Sequence, residues 1–572
     1  MKLKNDNSPG PAPIPNKFLK MLADPLSRLL DSIINRSMGI GYVRTSMKIG
    51  KQTPIYKSGD IRVNNYRPIT VCSSLSKILE KVVWDRVTKY LEYHKILNNN
   101  QFGFRRKHST NHAIINLTEI TLEAFEENLR IGGVFLDIAK AFDCVNHNIL
   151  LRKLEYYGFR GATLMWFESY LTGRTQYVNI RRHKSKSYIP QCGVPQGSTL
   201  APLLFIIFMN DIIQSSDIFD FTLYADDTCL LLGINKYKYE ETMKSELVKV
   251  VDWFSSNDLL LNIKKTDYLH FGPHYNKCYL KGEYDMSELH TVAPEFYFIN
   301  DDSVYNGPDH VEVNKKGEYV LQDLHMVCPK YFFDEFIEMP DSSYIFEPPD
   351  VKYLGLYFDN TLTFKRHIDI LCCKLNRMVG IMWKSNHLSI ETKKIIYYSM
   401  VESHLNYGIL VWGSNFSKKI LGKYDSTYIP TNLKNLNKTL NKILRAIFRK
   451  PKYDKVQKVN TPSNPLYKNL GVLKLCNLYY FNLASLVHDF YHGNILPQKI
   501  AEKYTKTESV SQIATRHNEL KLYYKTPRLS STFKKPTVAS AAFWNTLPID
   551  LRVITSKKGF KRRLKLYLLD RY

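Results

Sequence analysis

Phe221-Thr-Leu-Tyr-Ala-Asp-Asp-Thr-Cys-Leu-Leu-Leu232 sets two adjacent carboxylates, Asp226 and Asp227, between two runs of apolar, β-forming residues. The pattern predicts a hairpin with the acids at its tip. Burying one unpaired carboxylate is costly, and burying two side by side is worse. A divalent metal would relieve that cost. A solvated turn explains the same residues, and the tetrad Tyr224-Ala-Asp-Asp227 alone does not choose between them.

The chain around it is long, basic and aromatic. Its 572 residues exceed what one core holds, so about two to four domains are expected. A hydrophobic content of 44% with 13% aromatics fits a folded protein and argues against disorder. Lys and Arg total 80 against 54 Asp and Glu, a formal charge of +26. Such a surplus favours a polyanionic partner, through attraction to phosphates and release of their counterions. The 39 tyrosines add flat surfaces on which bases can stack. A membrane partner is not expected. No basic amphipathic terminus carries a lipid anchor, and Met1-Lys-Leu-Lys is followed by Asn-Asp-Asn, so no signal peptide is read. The longest apolar run, Leu200–Met209, is too short to span a bilayer and contains Pro202. The nine cysteines are scattered, without zinc spacing, and read as reduced thiols of the cytosol or nucleus.

Hydrophobic periodicity organises the rest. Residues 1–16 are polar and Pro/Gly-rich and read as disordered. Helices are predicted over Lys17–Asn35, Ser74–His94, Asn111–Asn128, Ile149–Leu171 with a break near Gly158, and Thr199–Asp211. Lys51–Thr70 reads as a basic hairpin or loop region. Gly133–Ile138 reads as a strand carrying an acid at its end, and Thr175–Ile180 and Tyr188–Cys192 as further strands. This order points to an α+β domain. Residues 272–350 behave differently, with sixteen Asp/Glu against five Lys/Arg (5 − 16 = −11) and seven prolines. They read as an acidic insertion, loosely folded at best. Beyond it, Ile368–Met382, Ile390–Val401, the basic stretch Asn435–Lys450 and the basic amphipathic Lys557–Leu569 read as helices.

Metal-dependent phosphoryl transfer needs a third carboxylate, because two ions about 4 Å apart must bridge the attacking and leaving oxygens. Asp137, at the end of the apolar strand in Phe135-Leu-Asp-Ile-Ala-Lys-Ala-Phe-Asp143, is the best candidate. Taken alone it reads more readily as a helix N-cap, and beside the tetrad the balance reverses. Asp143 reads as structural. In Gly193-Val-Pro-Gln-Gly-Ser198, two glycines and a proline let the backbone approach a ligand, and Gln196 can hydrogen-bond a base or sugar.

Several ordered stretches now resemble the reverse transcriptases of non-LTR (LINE-type) retrotransposons, the jockey-like branch above all. They are Pro54-Ile-Tyr-Lys-Ser-Gly-Asp60 with Asn65-Tyr-Arg-Pro-Ile69, Gln101-Phe-Gly-Phe-Arg105 with His108-Ser-Thr110, Phe135–Asp143, Gly193–Ser198 with Pro202-Leu-Leu-Phe205, and the tetrad. Leu261-Asn-Ile-Lys-Lys-Thr266, Tyr353-Leu-Gly355, His404-Leu-Asn-Tyr-Gly408, Val411-Trp-Gly413 and Phe543-Trp-Asn-Thr-Leu-Pro548 match downstream. The resemblance implies a right-hand polymerase with a mainly helical, basic C-terminal region. Residues 17–358 would be fingers and palm, with the insertion 272–350 inside them. Residues 359–415 would be thumb-like helices, and 416–572 the basic C-terminal region.

The resemblance also implies roles. Asp137, Asp226 and Asp227 would hold two magnesium ions, with manganese as the alternative, and Ile138 would lend a backbone carbonyl. A DNA primer 3′-hydroxyl would attack the α-phosphate of a dNTP on an RNA template. Phe142 would close on the sugar's 2′ position. Lys57 and Arg67 would bind the triphosphate, and Arg105 would touch template or triphosphate. Lys265 would protonate the departing pyrophosphate. Basic C-terminal helices would grip duplex phosphates, and Lys557, Lys558, Lys561, Arg562 and Arg563 double as a candidate nuclear-import signal, so a nuclear and cytoplasmic location is expected. Only about fifty residues precede the first finger motif. The family's N-terminal endonuclease is therefore expected to be missing, as in a 5′-truncated copy. A catalytically inactive nucleic-acid-binding relic is the alternative of a different class. A group II intron maturase or a telomerase-type polymerase is the rival within the enzymes.

Overall fold

The computed structural model describes residues 10–11, 14–57, 60–62, 65–181, 183–272, 348–419, 428–450, 452–454, 459–460, 462–493, 496–507, 520–525 and 532–571, with seven short strand segments between residues 297 and 346. Most of the stretch 1–16 lies outside the described residues. The chain divides into two compact units. The first comprises Met1–Ser109, Asp137–Thr228 and Glu246–Asn262, and the second Thr110–Leu136, Cys229–Ser245 and Ile263–Tyr572.

In the first unit the strand Ile49–Tyr56 is the hub of a four-stranded sheet. It pairs antiparallel with Tyr66–Cys72, Gly50 opposite Cys72 and Ile55 opposite Arg67, and parallel with Thr175–Ile180, Ile49 opposite Thr175. The expected strand Tyr188–Cys192 does not form. Only Tyr188 bridges to Gln176. Pro190 has no N–H to continue a ladder, and Gly193, at φ +87°, turns the chain away.

The helices follow their caps. Ser73 Oγ accepts from Ser76 N at 3.1 Å and starts Ser74–Tyr93, which buries Ile78, Leu79, Val83, Val87 and Leu91. Asn146 caps His147–Tyr156 in the same way. Left-handed Gly158 and Gly161 separate that helix from Ala162–Leu171, a wider break than the sequence suggested. Ala201–Phe208 is almost wholly buried, and Pro202 sits in its first turn, where its missing N–H costs no helical bond. The helix Tyr239–Ser256 was not anticipated, although Tyr239, Met243, Leu247, Val250 and Phe254 recur at helical spacing and are all buried.

One buried charge organises this unit. Glu80, fully inside, accepts from Tyr170 Oη at 3.0 Å and from Thr199 N at 2.7 Å. Arg174, also buried, donates to Tyr170 O at 3.2 Å and to Cys72 Sγ at 3.5 Å. Burial pushes the Glu80 carboxyl upward, while the Thr199 amide and the Arg174 guanidinium pull it back. Ser198 joins, its Oγ lying 3.2 Å from Tyr170 Oη and accepting from Ala201 N at 2.9 Å. The end of the Gly193–Ser198 loop is thus tied to the core.

In the second unit, Cys229–Ile234 of the strand Asp227–Ile234, then Arg130–Leu136, then Asp267–Phe271 lie side by side. Arg130–Leu136 and Asp267–Phe271 run antiparallel, with Ile131 opposite Phe271 and Phe135 opposite Asp267. Every residue of Arg130–Leu136 after the first is buried, as a strand covered on both faces requires. Tyr353-Leu-Gly355 becomes a tight hairpin turn between Asp350–Tyr353 and Leu356–Asp359, with Leu354 and Gly355 both left-handed. The helix Lys365–Lys384 packs on Lys434–Phe448, and Leu475–His488 packs on Pro536–Thr546 and Lys557–Asp570. The helix expected over Ile390–Val401 forms, closing on a π turn, Tyr398–Glu402.

Three glutamates of the helix Thr110–Glu126 tie this unit's C-terminal residues to its beginning. Glu119 accepts from Thr537 N at 2.7 Å, and Glu123 and Glu126 pair with Lys503 and Lys535, each at 2.6 Å. Within the acidic insertion the described pieces are short antiparallel strands: a three-stranded set centred on Tyr297–Asn300, and two pairs such as Phe336–Glu338 with Tyr344–Phe346. Among the described residues no single helix is long and apolar enough to cross a membrane.

Two outcomes follow from these buried acids. Burial pushes the Glu119 carboxyl up to about 7, against the opposing Thr537 N–H and Lys503. The folded chain therefore holds this proton more tightly than the unfolded chain. Its contribution is complete below the ordinary carboxylate range and is lost as pH rises towards 7, about 3 kcal/mol in all. Glu119→Gln should gain stability relative to the wild type between pH 4.5 and 8 in urea unfolding, and parallel profiles would contradict this. Glu80→Ala, which strands Arg174 in the core, should cost about 3–5 kcal/mol in the same assay.

Candidate active site

The residues of the opening tetrad form the predicted hairpin tip. The strand Asp220–Tyr224 ends at Tyr224, Ala225 takes a left-handed φ of +60°, and Asp227 begins the strand Asp227–Ile234. Both acids are open to solvent at the tip. Protein still crowds them enough to disfavour charge. Burial, then Asp226 and Asp137, push the Asp227 carboxyl up to about 6. Asp226 is raised by burial first, Arg67 opposing and Asp137 adding to the rise. The sequence-predicted Asp137, Asp226 and Asp227 therefore share one electrostatic site.

Asp137 does not cap a helix. It follows directly on the strand Arg130–Leu136, and turns follow it. Its carbonyl accepts from Asn262 N at 2.8 Å, its Oδ2 accepts from Asn262 Nδ2 at 3.1 Å, and Ala139 N donates to Leu260 O at 2.8 Å. These bonds flank the bridge Ile138–Leu261, so Ile138 is the non-hydrogen-bonded partner and its carbonyl faces away from Leu261. That carbonyl is left for use elsewhere. Among the described residues no three or more His, Cys, Asp or Glu side chains close into a cage that would hold an ion by themselves.

Phe142 is half-buried. It stacks on Phe205 at 4.7 Å between ring centroids and meets Phe104 edge-on at 6.4 Å, while its carbonyl accepts from Val194 N at 2.8 Å. Gln196 is partly buried. Its main-chain carbonyl accepts from Thr70 N at 2.7 Å, and its buried Oε1 has no partner. The flanking glycines also let the loop pack closely on its own backbone: a Cβ on Gly193 would sit 2.7 Å from Asp143 O, and one on Gly197 2.6 Å from Thr70 O.

The predicted cations separate. Arg67 is exposed and lowers the Asp226 carboxyl. Lys57 is exposed at the end of its strand and, with Lys140, opposes the burial that raises Asp143. Arg105 is half-buried and committed to the backbone, donating to Asn98 O at 2.6 Å and Gln101 O at 3.4 Å. Lys265 is exposed on the turn Ile263–Lys265 of the second unit.

Two positions escaped the sequence reading. Asn262 holds Asp137, and Gln101 reaches the tetrad itself, its Oε1 accepting from Ala225 N at 3.0 Å. Both stand inside stretches quoted above, but an amide has no pattern that marks it as a support.

Comparison with known proteins agrees with this geometry. Across 72% of this chain the sequence is 27% identical to the RNA-directed DNA polymerase from mobile element jockey of Drosophila melanogaster, covering 40% of that protein. It is 27% identical, over 72% of this chain and 41% of the relative, to a probable RNA-directed DNA polymerase from transposon BS of the same species. The chain thus spans about 40% of the length of these relatives. Among solved structures, telomerase from Candida tropicalis with a fragment of telomeric RNA aligns at TM-score 0.32 and 11% identity, over 80% of this chain and 65% of that one, a likeness too slight to build on. The family model for reverse transcriptase (RNA-dependent DNA polymerase) matches residues 51–358, more than half of the sequence and all three carboxylates. The chain belongs to the reverse transcriptase family.

Proposed function

We propose that this chain is the RNA-directed DNA polymerase of a non-LTR, jockey-like retrotransposon, extending a DNA primer with dNTPs on an RNA template. The observation that carries the proposal is the meeting of Asp137, Asp226 and Asp227, whose carboxyls repel one another at a solvent-open hairpin tip. A set of oxygen donors alone suits magnesium or manganese, which keep several ligand positions for water and substrate phosphates. A cage closed by protein alone is therefore not required. Asp137, Asp226 and Asp227 would hold the ions, with the Ile138 carbonyl as a further donor. When bound, two such ions neutralise charge on the attacking and leaving oxygens.

The chain's own residues supply position. Arg67, whose charge already reaches Asp226, offers a planar fork to a triphosphate, and Lys57 offers a point charge. Phe142, seated on Phe205, is backed firmly enough to block a 2′-hydroxyl. The unpartnered Gln196 Oε1 is an acceptor for a base or sugar donor. Residues 17–358 serve as fingers and palm, 359–415 as thumb. Exposed Lys434, Lys438 and Lys442 on the helix Lys434–Phe448, opposite its buried Leu436, Leu440 and Ile443, suit duplex phosphates.

Primer extension on poly(rA)/oligo(dT) with magnesium tests the reading. Wild type should extend, and Asp226→Asn should lose about a thousandfold while still binding duplex, the equivalent of about 4 kcal/mol of transition-state stabilisation. Duplex binding without extension by either protein would instead support the inactive relic. Phe142→Ala should raise ribonucleotide use relative to deoxyribonucleotide use by about 10–100-fold. An unchanged ratio with lowered thermal stability would make Phe142 a core residue only.

A further inference from the structure

The carboxylate tip rests on a conformation that its own sequence disfavours. Ala225 is left-handed, a region that costs an L-residue with a Cβ about 1–2 kcal/mol and that two-residue hairpin turns usually fill with Gly, Asn or Asp. Ala225 is also buried, so its N–H must find a partner inside the protein. That partner is the Gln101 side chain. Its Oε1 accepts from Ala225 N at 3.0 Å and from Gly103 N at 2.7 Å. Both neighbours are N–H donors, so the amide orientation is fixed, because a flipped amide would set donor against donor.

Gln101 is itself held rigidly. It lies in a parallel bridge opposite Leu223, with Phe102 N donating to Leu223 O at 2.8 Å and Leu223 N to Asn100 O at 2.9 Å. Arg105 clamps the Asn98 and Gln101 carbonyls from the other side. Gly103 leaves room for the approach, since a Cβ there would lie 2.4 Å from Ala225 N. The Gln101 side chain is 1% exposed, and its Nε2 has no partner. A core residue that leaves its own nitrogen unpaired is a poor source of stability. Its oxygen is what the fold uses.

We propose that Gln101 is a positioning residue for the carboxylate tip, its amide oxygen holding Ala225 left-handed and so fixing where Asp226 and Asp227 stand. The inference rests on the polymerase reading for its consequence in catalysis, but its structural half does not.

The full chain carrying Gln101→Met, which keeps the shape without the acceptor, is compared with Gln101→Glu, which keeps the acceptor. The first measurement is amide hydrogen exchange of peptides spanning Leu223–Thr228, without metal or template. Gln101→Met should exchange about tenfold faster at this tip, the loss of one hydrogen bond, and Gln101→Glu should stay close to wild type. The second is primer extension against magnesium concentration. Gln101→Met should lower kcat by about 10–100-fold and raise the magnesium needed for half-maximal rate, with the KM for dNTP little changed. Unaltered exchange at the tip in a folded Gln101→Met protein overturns the proposal. So does a kcat as low in Gln101→Glu as in Gln101→Met. Should Gln101→Met fail to fold, Gln101→Glu decides: wild-type exchange and kcat support the proposal, and faster exchange or a lost kcat overturns it. If wild type itself does not extend, the polymerase reading fails, and the exchange result still settles what Gln101 does.

Discussion

Three carboxylates that repel one another occupy one place in this protein, and much of the first unit exists to keep them there. Burial first, and the neighbouring like charges second, raise the affinity of Asp226 and Asp227 for protons above that of ordinary carboxylates. Left to itself such an arrangement would relax by swinging one acid away. The backbone prevents this on two sides. Asn262 grips Asp137 through both main chain and side chain, and Gln101 grips the turn that carries the other two.

The neighbouring loop obeys the same logic through different chemistry. Gly193 and Gly197 allow the loop to lie against Asp143 and Thr70, and Ser198 and Thr199 anchor its far end to Glu80. Glu80 is the second costly charge of the unit, and Arg174 makes it tolerable. A buried acid ties down the loop bearing Gln196, while Asp226 and Asp227 stand exposed at their hairpin tip. Placement of charge, more than its amount, separates the buried structural carboxylate from the exposed pair. Glu119 does in the second unit what Glu80 does in the first, joining the helix Thr110–Glu126 to Thr537.

How much of this was legible in the residues depends on the kind of signal. Asp226 and Asp227 stand out as a pair of acids among β-formers, but the tetrad alone left a solvated turn equally open. Asp137 became legible beside them, and Phe142 and Gln196 only through the ordered motifs around them. The helix Tyr239–Ser256 was legible in principle, from apolar spacing that passed unread. Tyr188–Cys192 misled, because its apolar residues suggested a strand that Pro190 does not allow. The glycines of the Gly193–Ser198 loop were read for closeness to a ligand, and their packing against Asp143 and Thr70 was not read. Gln101 could not have been found by type or spacing. Its importance lies in an oxygen 3.0 Å from a residue more than a hundred positions away.

Composition and motif order by themselves determined that the chain is basic, α+β and of the reverse transcriptase kind, because charge, periodicity and motif acids are properties of residue types in sequence. They also located the hairpin, since alternation around a short turn is local physics. Only the tertiary structure decided that the acids stand open to solvent, that Arg105 serves the backbone, and that Glu80 and Gln101 are the supports. Burial and hydrogen-bond partnership arise from segments far apart in the chain, and an isolated side chain carries no record of which distant carbonyl or amide it will meet.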